Sequence, residues 1–216
     1  MSISILTDPK GLYAEAFRTI KTNIKYSLSN KNKKVLLITS SEAGEGKSTI
    51  ASNLALSLSQ DNKKVVIIDC DLRKPTLHKH FSISSTVGLT EAIIGEKSIE
   101  KVAKKINNYL DVIPSGHIPP NPAELLASDE MDKIINELRE KYDYVIIDTS
   151  PICLVADAQI LSTKSDGVIL VLRNKKTKKD NLYKAKKLVE QVGGNVIGMI
   201  LNRKEQRKGK YYYYYY

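Results

Sequence analysis

Val35-Leu-Leu-Ile-Thr-Ser-Ser41-Glu-Ala-Gly-Glu-Gly-Lys47-Ser-Thr49 is the stretch on which the fold turns. Val35 to Thr39 is a near-continuous apolar run, as in a strand covered on both faces. The nine residues from Ser41 to Thr49 match a phosphate-binding P-loop that follows a strand and opens a helix, predicted over about 47–60. Gly44 and Gly46 let the backbone turn its N–H groups toward phosphate oxygens. The helix behind them presents its positive N-terminal end to the same anion. Lys47 is then placed to bridge the β- and γ-phosphates, and Ser48 to offer its hydroxyl to Mg²⁺. Ala43, Gly44, Glu45, Gly46, Lys47, Ser48 and Thr49 are the predicted ATP-binding residues. Ser41 departs from the strict GxxxxGK[ST] pattern, which has glycine there.

Working outward, further apolar runs begin at Val65, Leu110, Tyr144, Gly167 and Val196. Helical stretches fall between them at about 88–95, 122–141, 156–164 and 178–193, with an additional helix at about 11–29. Strand and helix in alternation imply βαβ crossovers. The expected fold is α/β: a P-loop NTPase, doubly wound, with a mostly parallel sheet flanked by helices. Residues 1–203 are expected to form one ATP-binding domain. Residues 204–216 lack apolar periodicity and read as a basic, tyrosine-rich flexible tail.

A metal–nucleotide site needs carboxylates, and two segments supply them at predicted strand ends, where open α/β sheets bind ligands. One is Asp69-Cys-Asp71-Leu-Arg73-Lys-Pro75; the other is Ile147-Asp148-Thr-Ser-Pro151, a Walker B-like strand end. Asp69, Asp71 and Asp148, with Ser48, form the predicted Mg²⁺ set, and Lys47 with the three aspartates the predicted catalytic set. One of the Asp69/Asp71 pair is expected to accept the proton of the attacking hydroxyl, with Asp69 the preferred choice. Asn202, at the end of the last strand, is a candidate for contacting adenine.

Composition narrows the partners. The 216-residue chain has a formal net charge of +10, with basic runs at Arg173–Lys179 and Arg203–Lys210. Such runs are most simply solvated faces, and otherwise attract something acidic. The chain has no apolar run near the roughly 20 residues of a membrane-spanning helix and no pattern of a secretory leader. Cys70 and Cys153 form no CxxC pair and are expected to be reduced, buried thiols; with His78, His80 and His117 they make no zinc pattern.

The order of P-loop, DxD and Walker B aspartate is that of the septum-site and chromosome-partitioning ATPases. Three features narrow the likeness further: Ile118-Pro-Pro-Asn-Pro-Ala-Glu-Leu-Leu126, Ile147-Asp-Thr-Ser-Pro-Ile152, and the terminal run Tyr211, Tyr212, Tyr213, Tyr214, Tyr215, Tyr216. With them the whole chain resembles the bacterial tyrosine kinases of capsular and exopolysaccharide synthesis. That resemblance implies ATP and Mg²⁺ as cofactors and transfer of phosphate to the six tail tyrosines, largely between neighbouring subunits. It also implies a subunit-interface helix with an ExxRxxR motif, matched here by Glu15, Arg18 and Lys21, the last replacing an arginine and losing its bidentate fork. It further implies a cytoplasmic protein drawn to the membrane's inner face by a membrane-anchored activator of the polysaccharide co-polymerase type. Residues 203–216 span at most roughly 45 Å when extended, enough to reach a neighbour's site or the chain's own, so length alone does not decide between them.

Two competing functions follow from the same residues. A MinD/ParA-like ATPase switch would share the core motifs, but the loop lacks the KGG-type start and the chain ends in tyrosines. A nucleic-acid module would suit the charge and the aromatic tail, yet no helix-turn-helix, RNA-binding or zinc pattern supports it, so nucleic acid is not an expected partner.

Overall fold

The computed structural model describes residues 12–28 and 34–203. The expectations for residues 204–216, including all six tail tyrosines, lie outside the described residues. In chain order the elements are α1 (Leu12–Ser27), β1 (Val35–Ser40), α2 (Lys47–Ser59), β2 (Val65–Asp69), α3 (Leu77–Phe81), α4 (Leu89–Ile93), α5 (Ile99–Val102), β3 (Lys104–Asn107), β4 (Leu110–Ile113), α6 (Pro122–Ala127), α7 (Asp129–Lys141), β5 (Tyr144–Asp148), α8 (Asp157–Thr163), β6 (Gly167–Arg173), α9 (Lys179–Gln191) and β7 (Val196–Asn202).

The strands form one seven-stranded sheet in the order β3-β4-β2-β5-β1-β6-β7, parallel except where β3 pairs antiparallel with β4. Side chains alternate along each strand between two cores. Val35, Leu37, Val66, Ile68, Val145, Ile147, Val168 and Leu170 face the helices α4, α5, α7, α8 and α9. Leu36, Ile38, Val65, Ile67, Ile146, Ile169 and Val171 face α1, α2 and α3. Two covered faces are the reason these strands read as unbroken apolar runs. Helix α1 lays Ala14, Phe17, Ile24 and Leu28 inward over α2, which leaves α2, between sheet and α1, buried along almost its whole length.

The doubly wound α/β expectation holds, with three local differences. The helix predicted over 122–141 is two helices. Ser128 is extended (φ −67°, ψ 157°) and its Oγ accepts from Met131 N at 3.3 Å, so it ends α6 and caps α7. Helices α3 and α5 are too short to show a helical period in sequence. Strand β3 was not foreseen either: Lys104–Asn107 alternates half-buried and exposed residues and turns back on β4 through Asn108 and Tyr109. Of the two free thiols, Cys70 is buried as expected, but Cys153 is only partly so.

Candidate active site

Strand β1 lies between β5 and β6, while the chain leaving β1 crosses to β2 on the far side of β5. Successive crossovers thus diverge beside β1, and the crevice at its C-terminal end is where open α/β sheets take ligands. Residues 41–46 fill the β1–α2 connection there. Gly44 (φ 78°) and Gly46 (φ 96°) both adopt the left-handed conformation that glycine alone takes without strain. Gly46 also has to lack a side chain: a Cβ there would lie 2.1 Å from Asn202 Nδ2.

The loop is braced from beneath by Glu45. Its buried carboxylate accepts from Ser41 Oγ at 3.1 Å, from Glu42 N at 2.9 Å and from Thr177 Oγ1. Ser41, where the strict motif has glycine, is thereby part of the brace. Of the predicted loop ligands, Glu45 can therefore serve only through its backbone. The loop's carbonyls are held by Lys176 Nζ on Ala43 O (2.9 Å) and Asn202 Nδ2 on Glu45 O (2.9 Å). Asn202, read from the sequence as a candidate for contacting adenine, lies beside the loop; its amide bonds the loop and its Oδ1 accepts from Arg203 N at 2.8 Å. The basic run at 173–179 is more than a solvated face, since Lys176 and Thr177 are tied to the loop. Sequence reading missed both.

Lys47, Asp69, Asp71 and Asp148 converge. Asp69 and Asp148 end adjacent strands and are paired in register. Lys47 Nζ meets Asp71 Oδ2 at 2.9 Å, with both side chains largely buried. The other Asp71 oxygen accepts from Ser150 Oγ at 2.9 Å and from Lys74 N at 3.1 Å. Asp69 Oδ2 accepts from Thr76 N (3.0 Å) and Leu77 N (2.9 Å), so it also fastens the start of α3. Asp148 differs: both its carboxylate oxygens are buried without a hydrogen-bond partner.

Electrostatics follow from this packing. Burial, reinforced by the charge of Asp148, pushes Asp69 up to about 7, against the two backbone bonds it accepts. Burial likewise raises Asp148 to about 6, opposed mainly by the Lys47 charge. For Lys47, burial favours the neutral amine, but Asp148, Asp71 and Asp69 outweigh it and raise its pKa. A carboxylate kept dry with vacant acceptor positions is the donor set that a hard divalent cation and its waters complete. Ser48, buried at the first turn of α2, supplies a hydroxyl of the matching kind.

The predicted interface residues are placed apart from this cluster, on α1. Glu15 and Arg18 form an exposed ion pair with each other. Lys21 turns to its own chain: Nζ donates to Ser57 O at 3.0 Å and to Asp61 at 2.8 Å, near the end of α2 remote from the P-loop. Its cation is committed within the subunit because it satisfies carbonyl and carboxylate acceptors where α2 ends.

The family model described as an AAA domain matches residues 38–196. The tyrosine-protein kinase YwqD of Bacillus subtilis (strain 168) is 45% identical over 208 residues, covering 96% of this chain and 88% of that protein. The chain belongs to the bacterial tyrosine kinases. Solved structures agree. The kinase domain of the Escherichia coli tyrosine kinase ETK matches this kinase with a TM-score of 0.92 at 32% identity, over 99% of this chain and 84% of that one. The chimerical protein CapA2B2 matches with a TM-score of 0.89 at 35% identity, over 94% of this chain and 90% of that one. These relatives settle the choice between kinase and switch ATPase in favour of the kinase, whose P-loop fold binds nucleotide. Among the described residues no helix is long and apolar enough to cross a membrane.

Proposed function

We propose that this kinase uses Mg²⁺–ATP to phosphorylate its own tail tyrosines, Tyr211 to Tyr216, and so regulates capsular or extracellular polysaccharide synthesis and export. The observation that carries the reading is the gathering of Lys47 and three buried aspartates at the P-loop, with both Asp148 carboxylate oxygens buried and without a hydrogen-bond partner. Lys47 and the loop amides hold the phosphates. Ser48, Asp69, Asp71 and Asp148 would hold the metal and its waters. Mg²⁺, when bound, supplies charge neutralisation across the transferring phosphates.

The tyrosine oxygen forms the new P–O bond as the bond to the ADP oxygen breaks, and the phenolic proton passes to a DxD carboxylate. For ordinary groups that proton transfer would cost about 8 kcal/mol. In the ligand-free site burial pushes Asp69 up to about 7, which narrows that gap, and Asp69 is the preferred acceptor. Positioning and charge stabilisation supply the rest, as is general for phosphoryl transfer.

In this reading residues 1–203 are the catalytic domain and 204–216 the substrate tail. Exposed Glu15 and Arg18 contribute to a homo-oligomer interface, with Lys21 acting as an internal strut. A membrane-anchored activator recruits the cytoplasmic kinase to the membrane. The test is intact mass after incubation with Mg²⁺–ATP and, where identified, an activator fragment. Serial single-phosphate additions are expected in the full chain and not in Lys47→Met or after deletion of 211–216. Tail phosphorylation persisting in Lys47→Met would refute the site assignment.

A further inference from the structure

A second carboxylate system adjoins the DxD segment and centres on Asp157, which lies outside every motif read above. Asp157, the first residue of α8, has a side chain with no solvent exposure, and it holds Arg73 in a two-point fork: Nε to Oδ2 at 2.9 Å and Nη2 to Oδ1 at 3.1 Å. Between Asp157 and the nucleotide site stands Ser150. Its Oγ lies 2.9 Å from Asp71 Oδ1 and 3.3 Å from Asp157 Oδ2. A hydroxyl has one proton to give. Ser150 shares that proton between the two carboxylates, with the shorter arm to Asp71 and the longer to Asp157, whose oxygens Arg73 also satisfies. The result is a relay in the order Arg73, Asp157, Ser150, Asp71, Lys47, exposed at Arg73 and buried from Asp157 inward, running from α8 and the β5–α8 connection into the P-loop.

We propose that Ser150 and Asp157 are positioning residues for phosphoryl transfer. They pin one oxygen of Asp71, so that its other oxygen alone faces Lys47 and, in the loaded site, the metal and its waters. This inference rests on Asp71 belonging to the metal–nucleotide site. From Asp157 to Asp71 the relay is buried and each carboxylate is hydrogen-bonded, the arrangement in which a polar network orients a group rather than merely tolerating it. Lys47 is held by the same carboxylate it must loosen when phosphates arrive. Pinning Asp71 from the far side keeps that carboxylate from following the lysine.

The test uses the full chain and the variants Ser150→Ala, Ser150→Thr, Asp157→Asn and Ser150→Ala/Asp157→Asn. ADP affinity is measured with and without Mg²⁺, alongside kcat and KM for ATP and the melting temperature of the ligand-free protein. In Ser150→Ala the Mg²⁺-dependent gain in ADP affinity is expected to fall about tenfold or more, as for groups that orient metal ligands. Metal-free ADP affinity should stay within about twofold, and Ser150→Thr, which keeps the hydroxyl, should recover most of the gain. Asp157→Asn should move the same quantity, and the double variant should lose no more than the worse single one, because both act through one connection. Where tyrosine phosphorylation is observed, the loss should fall on kcat more than on KM. An undiminished Mg²⁺-dependent gain in Ser150→Ala, or losses that multiply in the double variant, would overturn the relay. These binding readouts decide it even if the wild-type chain proves to add no phosphate, an outcome that would instead sink the kinase mechanism.

Discussion

At the residue scale, Asp148 sets a conflict between stability and function. Its buried carboxylate has no hydrogen-bond partner within normal geometry and is offset mainly by the nearby Lys47 charge, with Ser48 and the Thr149 backbone helping. Replacing it with Asn, which keeps the shape and removes the charge, should stabilise the ligand-free protein at pH 8 by about 1–3 kcal/mol, visible as a rise of several degrees in Tm. The same variant should lose the Mg²⁺-dependent increment in Tm on adding ADP. A ligand-free protein no more stable than wild type would show that the carboxylate is compensated. The pH dependence has a definite sign. Asp69 and Asp148 titrate at about 7 and about 6 in the folded chain, above the ordinary 3.8. The folded state therefore holds more protons than the unfolded one across that window, and this pair's contribution to stability declines as pH rises from about 4 to about 7. Metal binding requires the ionised forms. Mg²⁺-dependent ADP binding should consequently be weaker at pH 6 than at pH 8, with proton release on binding, measurable by calorimetry in buffers of different ionisation enthalpy. Equal affinity at both values would remove these aspartates from the metal set.

At the scale of elements, the P-loop is the most constrained segment. Gly46→Ala would place a Cβ 2.1 Å from Asn202 Nδ2 and force alanine to φ 96°. The clash is with the end of a side chain, so Asn202→Ala should relieve it. The left-handed conformation would still cost about 1–2 kcal/mol. The single variant should lose at least tenfold in ADP affinity, an amount equivalent to about 1.4 kcal/mol, and the double variant should recover stability only in part. Full recovery would mean that the steric contact alone matters there. The loop was legible in the sequence because its chemistry is local: glycines, lysine and hydroxyl fall within one turn. So were β2 and β5, whose covered faces leave apolar runs ending in Asp69 and Asp148. Glu45's partner Thr177 and the tie from Lys176 were not legible, because they join residues 132 and 133 positions apart with no periodicity to announce them. Ser150 and Asp157 were hidden for the same reason. Sequence separation from Asp71 and Arg73 conceals a contact made only when β5 lands beside β2. The contact of Lys21 was hidden differently, since a motif position says nothing of whether the cation turns outward or toward Asp61.

For the whole molecule, the placement of donor site and acceptor tail on one chain makes the partner of each reaction testable. Mixing the Lys47→Met chain, which keeps its tyrosines, with a chain lacking 211–216, which keeps its site, should phosphorylate the Lys47→Met tail if transfer runs between subunits. Its rate should rise with total protein concentration. A Lys47→Met chain left unmodified at every concentration would confine transfer to the molecule's own site. The seating of Asn202 bears on this arrangement. That residue ends β7, and its amide grips Glu45 O in the P-loop, one residue before the chain runs on toward its tyrosines. The leash and the cradle therefore share one anchor. On the proposed mechanism, traction on a captured tail would fall first on the residue that seats the nucleotide loop, so that engagement of substrate and grip on ADP would be mechanically coupled without any long-range rearrangement of the sheet.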